Sequence, residues 1–76
     1  MISIKYFASL RDTVGKSEEQ LENSATGTVS EIWQALNPDI SLPENTLAAL
    51  NQVYCSWDTE VRSDDELAFF PPVTGG

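Results

Sequence analysis

Thr28-Val29-Ser30-Glu31-Ile32-Trp33-Gln34-Ala35-Leu36-Asn37-Pro38 is the one stretch of this chain that reads convincingly as a helix. Val29, Ile32, Trp33 and Leu36 recur at i, i+3, i+4 and i+7 and so share one face. Thr28 with Glu31 three residues on matches a capping box, in which each side chain satisfies a backbone N–H of the other. Asn37-Pro38 stops the pattern, because proline drives the residue before it out of the helical region. A single amphipathic helix needs an apolar sheet to lie on, and the flanking sequence supplies strands.

Upstream, Met1 to Phe7 alternates. Ile2, Ile4 and Tyr6 fall on one face, with Ser3, Lys5 and Phe7 on the other, as in a half-buried strand. Ala8 to Val14 suits a short helical turn stopped by Gly15. Ser17 to Glu22 reads as an edge strand paired with the first, its charges suited to an exposed edge. Asn23 to Thr28 reads as loop. Downstream, Asp39 to Asn45 is a polar connection. Thr46 to Cys55 holds one or two strands with a turn near Asn51-Gln52, and Trp57 to Val61 is a further short apolar stretch. Ser63-Asp64-Asp65 is turn chemistry, and Glu66 to Phe70 is the last strand. One helix across one face of a mixed sheet buries the most apolar area open to so short a chain. The expected fold is α+β, a ubiquitin-like β-grasp with the last strand beside the first in mid-sheet. Residues 1–70 would form the domain and residues 71–76 a flexible C-terminal reactive tail.

Seventy-six residues make one domain, of a size that buries only about 60% of its unfolded surface. Twelve acids against Lys5, Arg11, Lys16 and Arg62 give a net charge of −8. Such a chain repels nucleic acid and anionic membranes and draws a basic protein partner; the same charge also serves solubility alone. No basic-then-apolar leader and no membrane-length apolar run is seen. The single cysteine, Cys55, permits no intrachain disulfide, so a cytoplasmic location is expected. Without histidine, a Ser-His-Asp triad or a His-ligated metal site is excluded, and one cysteine makes no zinc cluster. A domain this small also has little room for a deep substrate pocket. Chemistry is therefore expected at a terminus or inside a partner, with no metal or cofactor bound to this chain.

The chain closes on Phe69-Phe70-Pro71-Pro72-Val73-Thr74-Gly75-Gly76. Parity places Phe69 toward the helix, with Leu67. Phe70 goes to the opposite face with Glu66 and Ala68, and there it would join Phe7 and Tyr54. Three aromatics on an uncovered face mark a protein interface; a parity off by one, or loops over that face, would bury them instead. The six residues from Pro71, at about 3.1–3.5 Å each, reach roughly 20 Å. Pro71 and Pro72 keep the base of the tail extended. Val73 and Thr74 add length, and Gly75 and Gly76 leave the terminal carbonyl unhindered. A free α-carboxylate is an anion at neutral pH and a poor electrophile. To react it must be activated, most simply as an anhydride with AMP from ATP, from which a sulfur nucleophile can displace AMP. A terminal Gly-Gly alone is a weak signal, since many chains end in inert glycines.

Lys5-Tyr6-Phe7-Ala8 with Leu10-Arg11, Gly15, Ala49-Leu50-Asn51-Gln52 and Asp65-Glu66-Leu67-Ala68-Phe69-Phe70-Pro71-Pro72-Val73-Thr74-Gly75-Gly76 together resemble the family of small, sulfur-carrying subunits of molybdopterin synthase. The resemblance spans the domain, and the terminal motif is its specific part. It implies that a ubiquitin-activating-type adenylyltransferase adenylates Gly76 with ATP, and that a persulfide donor installs sulfur there as a thiocarboxylate. The tail would then enter the large synthase subunit of a heterotetramer. There the sulfur passes to cyclic pyranopterin monophosphate, building the dithiolene of the molybdenum cofactor. One departure is Asp64-Asp65-Glu66, where the family usually has Gly-Asp-Glu; aspartate tolerates the left-handed turn at small cost. Cys55 lies outside the motif and reads as a strand residue. Three other readings stand beside this one: a carrier for thiamine thiazole or another pathway, a ubiquitin-like protein modifier, and an interaction domain with an inert tail. Carriers for the thiazole pathway usually lack the Phe-Phe-Pro-Pro-Val run.

Overall fold

The alternation of Met1 to Phe7 becomes β1 (Ile2–Tyr6), in which Ile2, Ile4 and Tyr6 are buried and Ser3 and Lys5 are not. The computed structural model describes residues 1–43 and 45–72. After β1 come α1 (Ser9–Val14), β2 (Glu18–Leu21), β3 (Gly27–Thr28) and α2 (Val29–Leu36). Then follow β4 (Leu47–Leu50), β5 (Val53–Cys55), β6 (Glu60–Val61) and β7 (Glu66–Phe70). Five strands form one mixed sheet in the order β2-β1-β7-β4-β5. The two ends of the chain meet at its centre, where β1 and β7 run parallel in the register Ile4↔Leu67 and Tyr6↔Phe69. The other pairings in that sheet are antiparallel. This is the expected β-grasp, with β2 as an edge and β7 beside β1.

Each element starts and stops for a local reason. Gly15 ends α1 at φ 89, a left-handed conformation that costs glycine little. The capping box of α2 is complete: the Glu31 N–H donates to Thr28 Oγ1 at 3.1 Å, and the Thr28 N–H donates to Glu31 Oε1 at 2.8 Å. A side chain at position 27 would crowd that carboxylate, because a Cβ on Gly27 would stand 3.1 Å from Glu31 Oε1. Two further N–H groups of the first turn, those of Val29 and Ser30, donate to the carbonyls of Thr59 and Trp57. The turn joining β4 to β5 has positive φ at both Asn51 and Gln52, as a two-residue hairpin requires.

The core lies between α2 and one face of the sheet. Val29, Ile32 and Trp33 of α2 pack on Ile2, Ile4, Tyr6, Leu67 and Phe69, with Leu10 and Val61 closing the sides. Phe69 is its hub: its ring lies 5.0 Å from Trp33, and 5.8 Å from each of Tyr6 and Trp57. The Tyr6 hydroxyl donates to Glu19 at 2.7 Å and accepts from the buried Asn37 amide at 3.3 Å, so the phenol is buried without being orphaned. Burial is the main cause holding its pKa above the usual tyrosine value.

Two segments differ from the sequence reading. Asn23 to Thr28 is not all loop, since Gly27 and Thr28 pair antiparallel with Val61 and Glu60. A two-residue bridge shows no alternation, so periodicity has nothing to register. The connection after α2 is not simply polar: Ile40 and Leu42 pack against the core, and the Ile40 carbonyl accepts from the Trp33 indole N–H at 3.1 Å.

Candidate functional site

The face of the sheet turned away from α2 carries the second parity of each strand. At the end of β1 and β7 the Phe7 N–H donates to the Phe69 carbonyl at 3.1 Å, extending the parallel ladder by one residue. That places Phe7 beside Phe70. Their rings stack at 4.8 Å with an interplanar angle of 6°. Tyr54, from β5 across β4, meets the edge of Phe70 at 6.0 Å. Phe7 is 41% exposed and Tyr54 67% exposed, and Phe70 is half-buried between them. The three aromatics named from parity therefore lie together on the open face.

They form one end of a shallow groove of about 300 Å³. Its floor is Ala49 of β4 paired with Ala68 of β7, two small residues that keep the depression open. Its other end is an ion pair, with Lys5 Nζ 2.8 Å from Glu66 Oε1. The hydrogen bond and charge of Glu66 hold the Lys5 pKa above its ordinary value. The groove thus runs from an aromatic end over an apolar floor to a paired charge, a pattern of complementary surface rather than of catalysis. Parity had put Lys5, Glu66 and Ala68 on this face without joining them into a groove. Ala49 was not assigned to it, because the β4–β7 register that sets it beside Ala68 is not written in any one strand.

The tail leaves from the aromatic end. β7 stops at Phe70; Pro71 follows half-buried, and Pro72 is exposed and outside any strand. Val73, Thr74, Gly75 and Gly76, on which the reacting-group reading rests, lie outside the described residues. The turn that leads into β7 holds Asp64 at φ 64. Its carboxylate accepts from the α-amine of Met1 at 2.8 Å and the Asn23 amide at 3.2 Å, which holds its pKa below the usual carboxylate value. Asp64 thus takes a left-handed conformation, as the turn reading anticipated.

Cys55 sits in β5, half-buried, and burial raises its thiol pKa. A thiol held protonated is a poor nucleophile, in keeping with a strand residue. Among the described residues no cluster of acidic or sulfur ligands is placed to hold a metal ion. No described helix is long and apolar enough to cross a membrane.

Comparison with known proteins agrees with this geometry. A model of the ThiS family matches residues 4–76. The molybdopterin synthase sulfur carrier subunit of Haemophilus influenzae is 36% identical over 81 residues, covering all of both chains. The protein of the same name from Escherichia coli (strain K12) is 34% identical over 85 residues, again covering all of both chains. Among solved structures, SAMP1 from Haloferax volcanii superposes with a TM-score of 0.77 at 25% identity, over 99% of this chain and 98% of that one. The matched span takes in both the groove-bearing strands and the Phe-Phe-Pro-Pro-Val-Thr-Gly-Gly end, and the chain belongs to the ThiS family, together with the molybdopterin synthase sulfur carrier subunits.

Proposed function

We propose that this chain is the sulfur-carrier subunit of a molybdopterin synthase, with Gly76 as the reacting residue. The observation that carries the reading is the exposed Phe7–Phe70–Tyr54 cluster at the point where β7 gives way to Pro71-Pro72. A surface suited to docking the domain thereby lies at the base of the segment that must enter the partner. Proline at the base lowers the entropy lost on insertion. Gly75 and Gly76 add no bulk beside the reacting carbonyl.

The chemistry follows from the terminal carboxylate. Its oxygen attacks the α-phosphorus of ATP within a ubiquitin-activating-type adenylyltransferase, and pyrophosphate leaves. The terminal sulfur of a persulfide donor attacks the acyl carbon, and AMP leaves. A thiol then cleaves the S–S bond of the acyl disulfide and releases the thiocarboxylate. The large synthase subunit receives the tail, and sulfur passes to cyclic pyranopterin monophosphate to build the dithiolene. This chain supplies the sulfur and its delivery; the pocket belongs to the partner. A second reading is a ubiquitin-like protein modifier, with the Gly76 acyl group joined to a target lysine amine; it is favoured by the likeness to SAMP1, a name that stands for small archaeal modifier protein 1.

Length is the test. Deleting Gly76, or adding one residue after it, is expected to abolish sulfur transfer in a reconstituted synthase while leaving folding and large-subunit binding nearly unchanged. Delivery of sulfur by the extended chain would overturn the mechanism.

A further inference from the structure

The hairpin that carries Tyr54 and the strand that carries Phe70 are paired through β4 and β7, and one side chain adds a further tie where that pairing ends. Asn51 opens the β4–β5 turn at φ 51. Its backbone N–H donates to the Glu66 carbonyl at 2.8 Å, one step beyond the last regular pair, Leu50↔Leu67. The return bond of that step comes from the side chain: the Glu66 N–H donates to Asn51 Oδ1 at 2.9 Å. The other half of the same amide donates from Nδ2 to Asp65 Oδ1 at 2.9 Å. Asp65 is itself fixed, since its Oδ2 accepts from the Arg62 N–H at 2.8 Å. One amide therefore links the β4–β5 turn to the β6–β7 turn, using its oxygen and one N–H of its nitrogen.

We infer that Asn51 is a positioning residue for partner docking: its amide clamps the β4–β5 hairpin to the start of β7, and so sets Tyr54 against Phe70 and the Lys5–Glu66 pair at the far end of the groove. The inference rests on the proposed function for its biological meaning, because only a docking partner reads that spacing. Asparagine suits the place twice over. It tolerates the left-handed backbone, and it presents an acceptor and a donor side by side, which neither aspartate nor glycine does at neutral pH.

That difference supplies the experiment. Asn51→Gly keeps the left-handed turn and removes only the clamp. Asn51→Asp sets two carboxylates against each other. The exchange Asn51→Asp with Asp65→Asn keeps the total charge and all three side-chain bonds: the carboxylate now at 51 accepts from the Glu66 N–H and from the amide now at 65, whose oxygen accepts from the Arg62 N–H. Affinity for the large synthase subunit is measured at a temperature where circular dichroism shows every variant folded. The Tyr54–Phe70 ring contact is read by nuclear Overhauser effect in the free protein. Asn51→Gly and Asn51→Asp are each expected to lose about tenfold in affinity, the worth of a charge-assisted bond, with a weakened ring contact. The exchange is expected to restore both. A clamp that only stabilised the fold would lower the melting temperature and leave the affinity and ring contact of the folded protein unchanged, and that result overturns the inference. So does an exchange that binds no better than Asn51→Asp. If the wild-type chain itself does not bind the large subunit, the proposed function fails, and the ring contact alone decides the clamp: lost in Asn51→Gly it supports the positioning role, retained it overturns it.

Discussion

Phe69 and Phe70 are neighbours in sequence and opposites in role. The pleat sends the first into the core, fully buried among Tyr6, Trp33 and Trp57, and the second to the open face against Phe7 and Tyr54. Truncation should separate them. Phe69→Ala is expected to cost about 3–5 kcal/mol, a large part of the stability of a domain this small. Phe70→Ala is expected to leave the urea midpoint nearly unchanged while weakening large-subunit binding by about 2 kcal/mol, roughly thirtyfold. A chain unfolded by Phe70→Ala would place that ring in the core. Asp65 makes a separate, pH-dependent contribution. The bond from Asn51 and the Arg62 N–H hold its folded pKa below the ordinary carboxylate value. Its stabilisation is therefore present above the unfolded pKa of about 3.9 and is lost as pH falls through the lower folded value. The urea midpoints of wild type and Asp65→Ala should differ at pH 7 and converge in acid; a gap that stays constant with pH would show that the carboxylate charge contributes nothing.

The helix and the long strands were legible because each writes its burial into a period. Val29, Ile32 and Trp33 mark the inner face of α2, and Ile2, Ile4 and Tyr6 that of β1. The cap was legible as well, since Thr28 and Glu31 are both the residues and the spacing it needs. Thr28→Ala is expected to cost about 1 kcal/mol, a drop of roughly 4–8 °C in a thermal melt; an unchanged melting temperature would mean that the Thr59 and Trp57 carbonyls suffice to hold the first turn. What stayed hidden was pairing. β3 and β6 are two residues each, too short to alternate. The groove needed the registers of β1, β7, β4 and β5 at once. The Phe7, Tyr54 and Phe70 cluster could be assembled from parity, whereas the Lys5–Glu66 pair and the Asn51 clamp depend on which strands lie side by side.

Across the whole molecule, the sheet order puts β7 at the centre, held by β1 on one side and β4 on the other. The strand that ends in the tail is thus paired on both sides, and its adjacent aromatics Phe69 and Phe70 serve core and groove. In the proposed role, this arrangement would hold the base of the tail fixed on the domain. The central claim concerns the terminal carboxylate of Gly76, six positions after the last residue of that strand. The direct measurement is the intact mass of the protein after incubation with ATP and extract of its own cells. The account predicts a gain equal to the replacement of one oxygen by sulfur, localised to the C-terminal fragment containing Gly76. An unchanged mass with the cognate activating enzyme and a persulfide donor present would contradict it, as would adducts on lysines of other proteins in place of a thiocarboxylate.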